Sequence, residues 1–466
     1  MNKTVVINVV GLSPALLGGH TPFLKRFGEQ GSMARVRPAF PAVTCTAQTN
    51  YLTGKTPSEH GIVANGWYFK EEHEVKFWRQ SSDLVRVSRI WDRLKAEDPE
   101  FTCANLFWWY NMYSEADYSV TPRPNYLADG RKIPDVYSYP SGLRDDLQKE
   151  LGQFPLFKFW GPATDISSSQ WIADAAKRVE TKYDPTLTLI YLPHLDYNLQ
   201  RHGPDPEQVG DDLKAIDAVL EDLVGFYEAR GASVLLLSEY GITGVSRPVH
   251  LNRVLREHGY LALRIERGRE LLDAGASKAF AVADHQVAHV YVRHKENIAA
   301  VAGILKTVPG VDRLWVGEER KAIHMDHERS GDIVVMADHE SWFTYYYWLD
   351  DERAPDFART VDIHRKPGYD PAEMFTDPGK RLVKLRILWK LVLKKLGFRV
   401  LMDVIPLEAN LVKGSHGRIP ENKGFYPLVM ANTPLFDGVE EIDSTEVHTI
   451  ISELATKKDQ YESLIT

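Results

Sequence analysis

The chain has 466 residues, 44% of them hydrophobic, so it is a globular protein able to bury one large core or two to three ordinary ones. Its 56 Lys and Arg against 64 Asp and Glu leave a formal charge of −8, which argues against a nucleic-acid footprint spread over the surface. Two cysteines, Cys45 and Cys103, are too few for a disulfide framework, and no apolar run reaches the roughly 18 residues of a membrane span. The opening MNKTVVINVVGLSP lacks the apolar core and cleavage site of a secretion signal, so the expected compartment is the cytoplasm.

The first predicted element is a strand from Thr4 to Val10, an apolar run broken by Asn8, as in a central parallel strand buried on both faces. A loop leads to Pro41 and to a helix expected from Thr44 to Leu52. Then come a strand at Thr102 to Trp108, a helix around Ser168 to Lys182, and a strand at Leu187 to Leu192. A helix at Pro206 to Ala229 precedes a strand at Ser233 to Leu237. This alternation describes βαβ units, so the expected fold class is α/β: a mostly parallel central sheet with helices on both faces, built from residues 1–258 and 360–466. Between these parts, 259–359 reads as a smaller α+β insertion capping the sheet. Short strands at Ala279 to Val282, Val287 to Val292, Asp332 to Met336 and Trp342 to Tyr347 flank a helix at Lys295 to Thr307. The last part carries a basic stretch, a Gly-Ser-His-Gly loop, a strand near Pro427 to Met430 and a helix near Thr445 to Thr456.

Ligands of open α/β sheets bind beyond the C-terminal strand ends, and polar residues gather at those ends here. Val10-Gly11 closes the first strand, His194-Leu195-Asp196-Tyr197-Asn198-Leu199-Gln200 follows Leu192, and Ser238-Glu239-Tyr240-Gly241 follows Leu237. Lys413-Gly414-Ser415-His416-Gly417 lies farther on. Thr44 stands where a helix begins, and capping preference alone reads it first as an N-cap. A hydroxyl at that place also sits among free backbone N–H groups at the positive end of a dipole, which suits a nucleophile that meets phosphate.

The run PAFPAVTCTAQTNYLTGKTPSEHGIVANGWY resembles the nucleophile segment of the nucleotide pyrophosphatase/phosphodiesterase branch of the alkaline phosphatase superfamily. That segment reads roughly P-x-x-P-x-x-T-F-P-N, then T-G, then H-G-I-x-x-N. The resemblance implies Thr44 as nucleophile and Asn65 as oxyanion donor, with Cys45 and Tyr240 facing the substrate. It further implies a metal-dependent hydrolase of small phosphate esters, of phosphodiester or nucleotide pyrophosphate type, working through a phosphothreonine. The alternative is a catalytically impaired relative that binds a phosphorylated or lipid-like ligand. The same resemblance implies one or two divalent ions, zinc or manganese/magnesium, at six side-chain positions. Asp196 and His416 match these outright, Glu239 is conservative, and Val10, Gln200 and Tyr240 replace an aspartate and two histidines; Asp196, Gln200 and His416 could still hold one ion, manganese or magnesium rather than zinc because the Gln oxygen is neutral.

Because an acid and an imidazole are missing, Asp362 and His364 are candidate replacements: two residues apart on an extended segment, they point to one side. The alternative pairs Asp362 with Arg365 or Lys366 and leaves His364 on the surface. His194 and His202 read as loop or supporting histidines, and Asp284, His285 and His289 as structural or substrate-facing residues of the insertion. Trp342 to Trp348, with three consecutive tyrosines, reads as core packing or as an aromatic substrate wall. Lys380 to Lys395, KRLVKLRILWKLVLKK, has seven basic residues and no acid. It reads either as a solvated surface helix or as a peripheral membrane contact.

Overall fold

The computed structural model describes residues 1–456. Its main sheet has nine strands: β1 (Thr4–Val9), β2 (Ser32–Arg37), β3 (Cys103–Leu106), β4 (Tyr118–Pro122), β5 (Val136–Tyr139), β6 (Leu187–Leu192), β7 (Ser233–Leu237), β8 (Leu428–Ala431) and β9 (Glu441–Asp443). They lie in the order β9-β2-β8-β7-β1-β6-β3-β4-β5. Every residue of β1 is buried, because parallel neighbours β6 and β7 flank it and helices cover both faces. Helix α2 (Ser167–Tyr183) buries Trp171, Ile172, Ala175, Ala176 and Val179, and helix α4 (Gly210–Glu228) buries Leu213, Ile216, Leu220, Leu223, Val224 and Tyr227. Both sets follow the three-to-four spacing of one helical face. Between them in the chain, helix α3 (His194–His202) starts at the end of β6, and helix α1 (Thr44–Thr53) lies earlier, after β2.

The central strands are parallel as expected, but the sheet is mixed. β8 runs antiparallel to both neighbours, β2 and β7, and β5 is an antiparallel edge on β4. Strand direction follows from connection geometry, which hydrophobic period does not encode.

A second, four-stranded antiparallel sheet lies within the 259–359 stretch, from Ala279–Asp284, Val287–Val292, Ile333–Ala337 and Val311–Val316. Its first two strands form a hairpin in which Asp284 pairs with Val287, leaving His285 and Gln286 as a two-residue tip. His285 holds φ at 59°, the left-handed backbone that tight hairpin turns need. The expected strand at Trp342 to Tyr347 is shorter: only Ser341–Phe343 is extended in a ladder, against Arg247–Val249. Tyr345, Tyr346, Tyr347 and Trp348 are fully buried in the second sheet's core, so these rings pack the interior.

The site edge is held by close backbone approaches. Gly11, after β1, bridges to Gly241, after β7, and a Cβ at Gly241 would stand 1.8 Å from the Phe425 carbonyl oxygen. Gly241→Ala is therefore expected to destabilise the fold by about 2–4 kcal/mol in urea denaturation, whereas Gly244→Ala should stay within about 0.5 kcal/mol. A Cβ at Gly244 meets nothing within 4 Å.

Candidate active site

Thr44 is the first residue of α1, not its cap. The N-cap is Val43, extended at φ −134° and ψ 156°, and no side chain of its own caps the helix. That task falls to Asn65, whose Oδ1 accepts from the Cys45 N–H at 3.0 Å. Asn65 is itself fixed by the insertion: its N–H donates to Asp284 Oδ2 at 2.8 Å and its Nδ2 to Asp284 Oδ1 at 3.2 Å. The amide nitrogen carries a second hydrogen that remains for an oxyanion. Ahead of the helix, the Ala42 N–H donates to the Gly417 carbonyl at 2.8 Å. In return His416 Nδ1 donates to the Ala42 carbonyl at 2.7 Å, so the Gly-Ser-His-Gly loop and the Thr44 loop form one unit.

Glu239 and Tyr240 reach the same place from the end of β7. Glu239 Oε1 accepts from Asn8 Nδ2, which explains the polar break in β1, and from Gln48 Nε2 on α1. Its Oε2 is buried without a protein partner. Burial raises the Glu239 carboxyl to about 7, against the pull of the hydrogen bonds from Gln48 and Asn8 and of the nearby Thr44 hydroxyl. Burial likewise raises Asp196 to about 6 and Asp284 to about 6. The Tyr240 hydroxyl stands 3.2 Å from Thr44 Oγ1 and donates to Asp196 Oδ1 at 3.2 Å. Asp196 Oδ2 accepts from Gln200 Nε2 at 2.9 Å, and Gln200 Oε1 accepts from the Tyr369 hydroxyl at 3.0 Å.

Four rings stack through the site. Tyr240 lies on His416 at 3.6 Å, His416 against His285 at 3.7 Å, and His285 on Tyr369 at 3.6 Å. His285 Nδ1 donates to Asp284 Oδ1 at 2.7 Å, and burial holds both imidazoles well below their ordinary value, hence neutral. Thr44, Asn65, Asp196, Gln200, Glu239, Tyr240, Asp284, His285 and His416 are each at most 8% exposed. A cleft of about 670 Å³ opens elsewhere, between His250, Arg253, Tyr346 and Arg359.

The donor set does not fit the two-metal centre implied by the resemblance. Val10 is an apolar side chain in the main core, Gln200 is bonded at both ends, and both oxygens of Asp196 already accept from protein donors. Among the described residues, no three His, Cys, Asp or Glu side chains stand where they would share one ion.

The acid and histidine that reach Thr44's surroundings are Asp284 and His285, while Asp362 and His364 are engaged elsewhere. The Asp362 N–H donates to Glu373 and its carboxylate lies 3.8 Å from Arg365, the alternative pairing foreseen for it. Lys366 instead binds Asp370 and Glu373, at 2.6 and 2.8 Å. His364 is exposed beside Lys132 and the Phe77 backbone, the surface position of that same alternative. His194 contacts Asp212 at 3.1 Å, His202 ends α3 in solvent, and both nitrogens of His289 bond backbone, to Val63 and Gly331. Cys45 packs among Ile62, Val63, Trp67 and Tyr110. Asp284 and His285 carried one signal in the sequence: A-D-H-Q-V puts a two-residue turn between two apolar runs.

The family described as type I phosphodiesterase / nucleotide pyrophosphatase matches residues 4–370. An uncharacterized pyrophosphatase/phosphodiesterase of Schizosaccharomyces pombe is 23% identical over 256 residues, 53% of this chain and 46% of that one. Ectonucleotide pyrophosphatase/phosphodiesterase 2 of Saccharomyces cerevisiae is 23% identical over 267 residues, 52% and 48% of the two chains. The chain thus spans about half the length of the curated relatives it matches. Human ectonucleotide pyrophosphatase/phosphodiesterase 5 superposes with a TM-score of 0.61 at 15% identity, over 98% of this chain and 96% of that one. The inactive murine protein of that name, solved with AMP, gives 0.59 at 14% over 98% and 96%. A phosphonoacetate hydrolase from Sinorhizobium meliloti, solved with phosphonoformate, gives 0.59 at 13% over 98% and 96%. These structures establish the fold.

The raised Glu239 carboxyl has a measurable consequence. Its contribution to stability is complete below the ordinary value of 4.5 and is lost as pH rises through about 7. Glu239→Gln keeps the oxygen that accepts from Asn8 and Gln48 while removing the buried charge. It is expected to gain about 1–3 kcal/mol over the parent at pH ~8 and little at pH ~4, by urea denaturation at both.

Proposed function

Because the chain belongs to the type I phosphodiesterase / nucleotide pyrophosphatase family, whose members are hydrolases, we propose that it hydrolyses a small phosphate ester at Thr44. The observation that carries this reading is the juxtaposition at the start of α1. Thr44 Oγ1 stands at a helix N-terminus, bonded to the Tyr240 hydroxyl, and the unpartnered Oε2 belongs to a carboxylate that also interacts with Thr44. In this mechanism Glu239 accepts the Thr44 proton as Oγ1 attacks phosphorus. The phosphoryl oxygens meet the positive end of α1 and the remaining hydrogen of Asn65 Nδ2. The ester oxygen leaves with the proton from Glu239; water then attacks the phosphorylated threonine, giving a proton to Glu239, and the P–Oγ1 bond breaks to release phosphate, or the phosphate monoester from a diester, as Oγ1 takes that proton back. No step runs through a metal ion, because the donor set does not fit the pair.

The substrate class we favour is a nucleotide-type ester, supported by the AMP in the murine structure and the names of the yeast relatives. For location we favour the cytoplasm, consistent with two buried free thiols. One observation favours a second reading, a relative that binds the ester without turnover. Tyr240 fills the space between Thr44 and Asp196 and stacks on His416, within a site whose side chains are almost wholly buried.

Turnover of bis(4-nitrophenyl) phosphate by the intact chain separates the two. Under the hydrolase reading Thr44→Ala should lower kcat by roughly a thousandfold or more. Folding stability should stay within about 1 kcal/mol of the parent, as for loss of one small hydroxyl. No turnover by the parent, with AMP still bound in calorimetry, selects the second reading. Turnover undiminished in Thr44→Ala rules out the threonine.

A further inference from the structure

The helix Val383–Lys395 buries none of its residues. Its contact with the body is narrow: Val383 and Ile387 pack against Ala372, Val404 and Ile405, and Asp403 engages Lys380, Arg386 and Lys390. The side turned away from that contact is apolar. Leu385, Leu388, Trp389, Val392 and Leu396 are 58%, 58%, 61%, 40% and 67% exposed. Their spacing gathers them in an arc of roughly 100° opposite Val383 and Ile387, with Lys384 and Lys395 on one border and Arg386 on the other. What the sequence shows as a mixed helix is thus two-faced, with its apolar stripe toward solvent.

The patch continues past the helix. Leu382, Phe398 and Leu401 are exposed, and Arg399 Nη2 donates to the Ala128 carbonyl at 2.9 Å. That bond ties the helix end to the hairpin of Asn125–Tyr126 and Lys132–Ile133, whose Tyr126 and Leu127 are also exposed. From Gly379 to Met402 the chain has eight Lys and Arg and no acid. The nearest exposed acid on the hairpin, Asp129, is paired with Arg131 at 2.7 Å.

We propose that this face docks on an anionic lipid bilayer, with the helix lying in the plane of the interface. Thirteen residues are too short to span a bilayer, and no described helix is long and apolar enough to do so. A Leu/Val stripe with a Trp at its edge, bordered by Lys and Arg, has the chemistry of an interfacial helix. The excess of cations selects an anionic surface, whereas the core of a protein interface is depleted of Lys. The docking face is independent of the Thr44 reaction.

Co-sedimentation of the intact chain with vesicles tests it. Binding to phosphatidylcholine vesicles containing phosphatidylserine should exceed binding to phosphatidylcholine alone by about tenfold or more. The double variant Leu388→Glu/Trp389→Glu should abolish sedimentation. Lys384→Glu/Lys395→Glu should weaken binding to the anionic vesicles by about tenfold or more and leave neutral vesicles unaffected. All four side chains are exposed, so circular dichroism and the melting temperature should match the parent. A parent that stays in the supernatant with anionic vesicles overturns the proposal, as does sedimentation that survives Leu388→Glu/Trp389→Glu. A parent dimer by light scattering that this double variant converts to monomer, without vesicle binding, would assign the stripe to a second copy instead.

Discussion

The Tyr240 hydroxyl, 3.2 Å from both Thr44 Oγ1 and Asp196 Oδ1, is the contact around which the polar centre is arranged. Buried carboxylates persist only where neighbours satisfy or neutralise them, and Glu239, Asp196 and Asp284 all lie within this cluster. Asp196 receives Tyr240 and Gln200, Asp284 receives Asn65 and His285, and Glu239 receives Asn8 and Gln48. These bonds draw in residues from β1, α1, α3, the β7 end and the second sheet. Val10, Gln200 and Tyr240 each stand where the resemblance implies a metal-binding group, and the last two supply hydrogen bonds of their own.

The centre of the fold was legible because β1, β6 and β7 are apolar runs of strand length, and their ends hold the polar residues that Brändén's rule singles out. The edges were not. β2 alternates Met33, Arg35 and Arg37 outward with Ser32, Ala34 and Val36 inward, a period of two that two arginines obscure. β4, β5 and β9 are three to five residues long and partly polar, too short to stand out from loops. In the site, Thr44, Asn65, Asp196, Glu239, Tyr240 and His416 were found by their motifs. Asp284 and His285 read as structural or substrate-facing residues of the insertion, and nothing local joins them to Thr44, because long-range docking of a hairpin tip leaves no periodic mark. Asp362 and His364 had the right chemistry at the right spacing, but spacing does not say which surface a segment meets.

The ring column links the two cores. Tyr240 belongs to the main core and Tyr369 to that of the second sheet, with His416 and His285 between them. The Gln286 N–H donates to the His416 carbonyl at 2.9 Å, and the Phe343 N–H to the His285 carbonyl at 2.7 Å. The hairpin is consequently part of the site's wall, and Asn65 owes its orientation to an acid more than two hundred residues away in sequence.

The position of β8 bears on how the chain matures during synthesis. Residues 428–431 lie between β2, at 32–37, and β7, at 233–237. Until that stretch leaves the ribosome, β2 has no bridge to the strands around β1, and β7 presents an unpaired edge. An unpaired apolar strand is a template for wrong partners, including other nascent chains. The helix that begins at Thr44 thus assembles beside a sheet that stays open until residues 428–431 arrive, and through that interval β7 keeps an apolar edge unpaired.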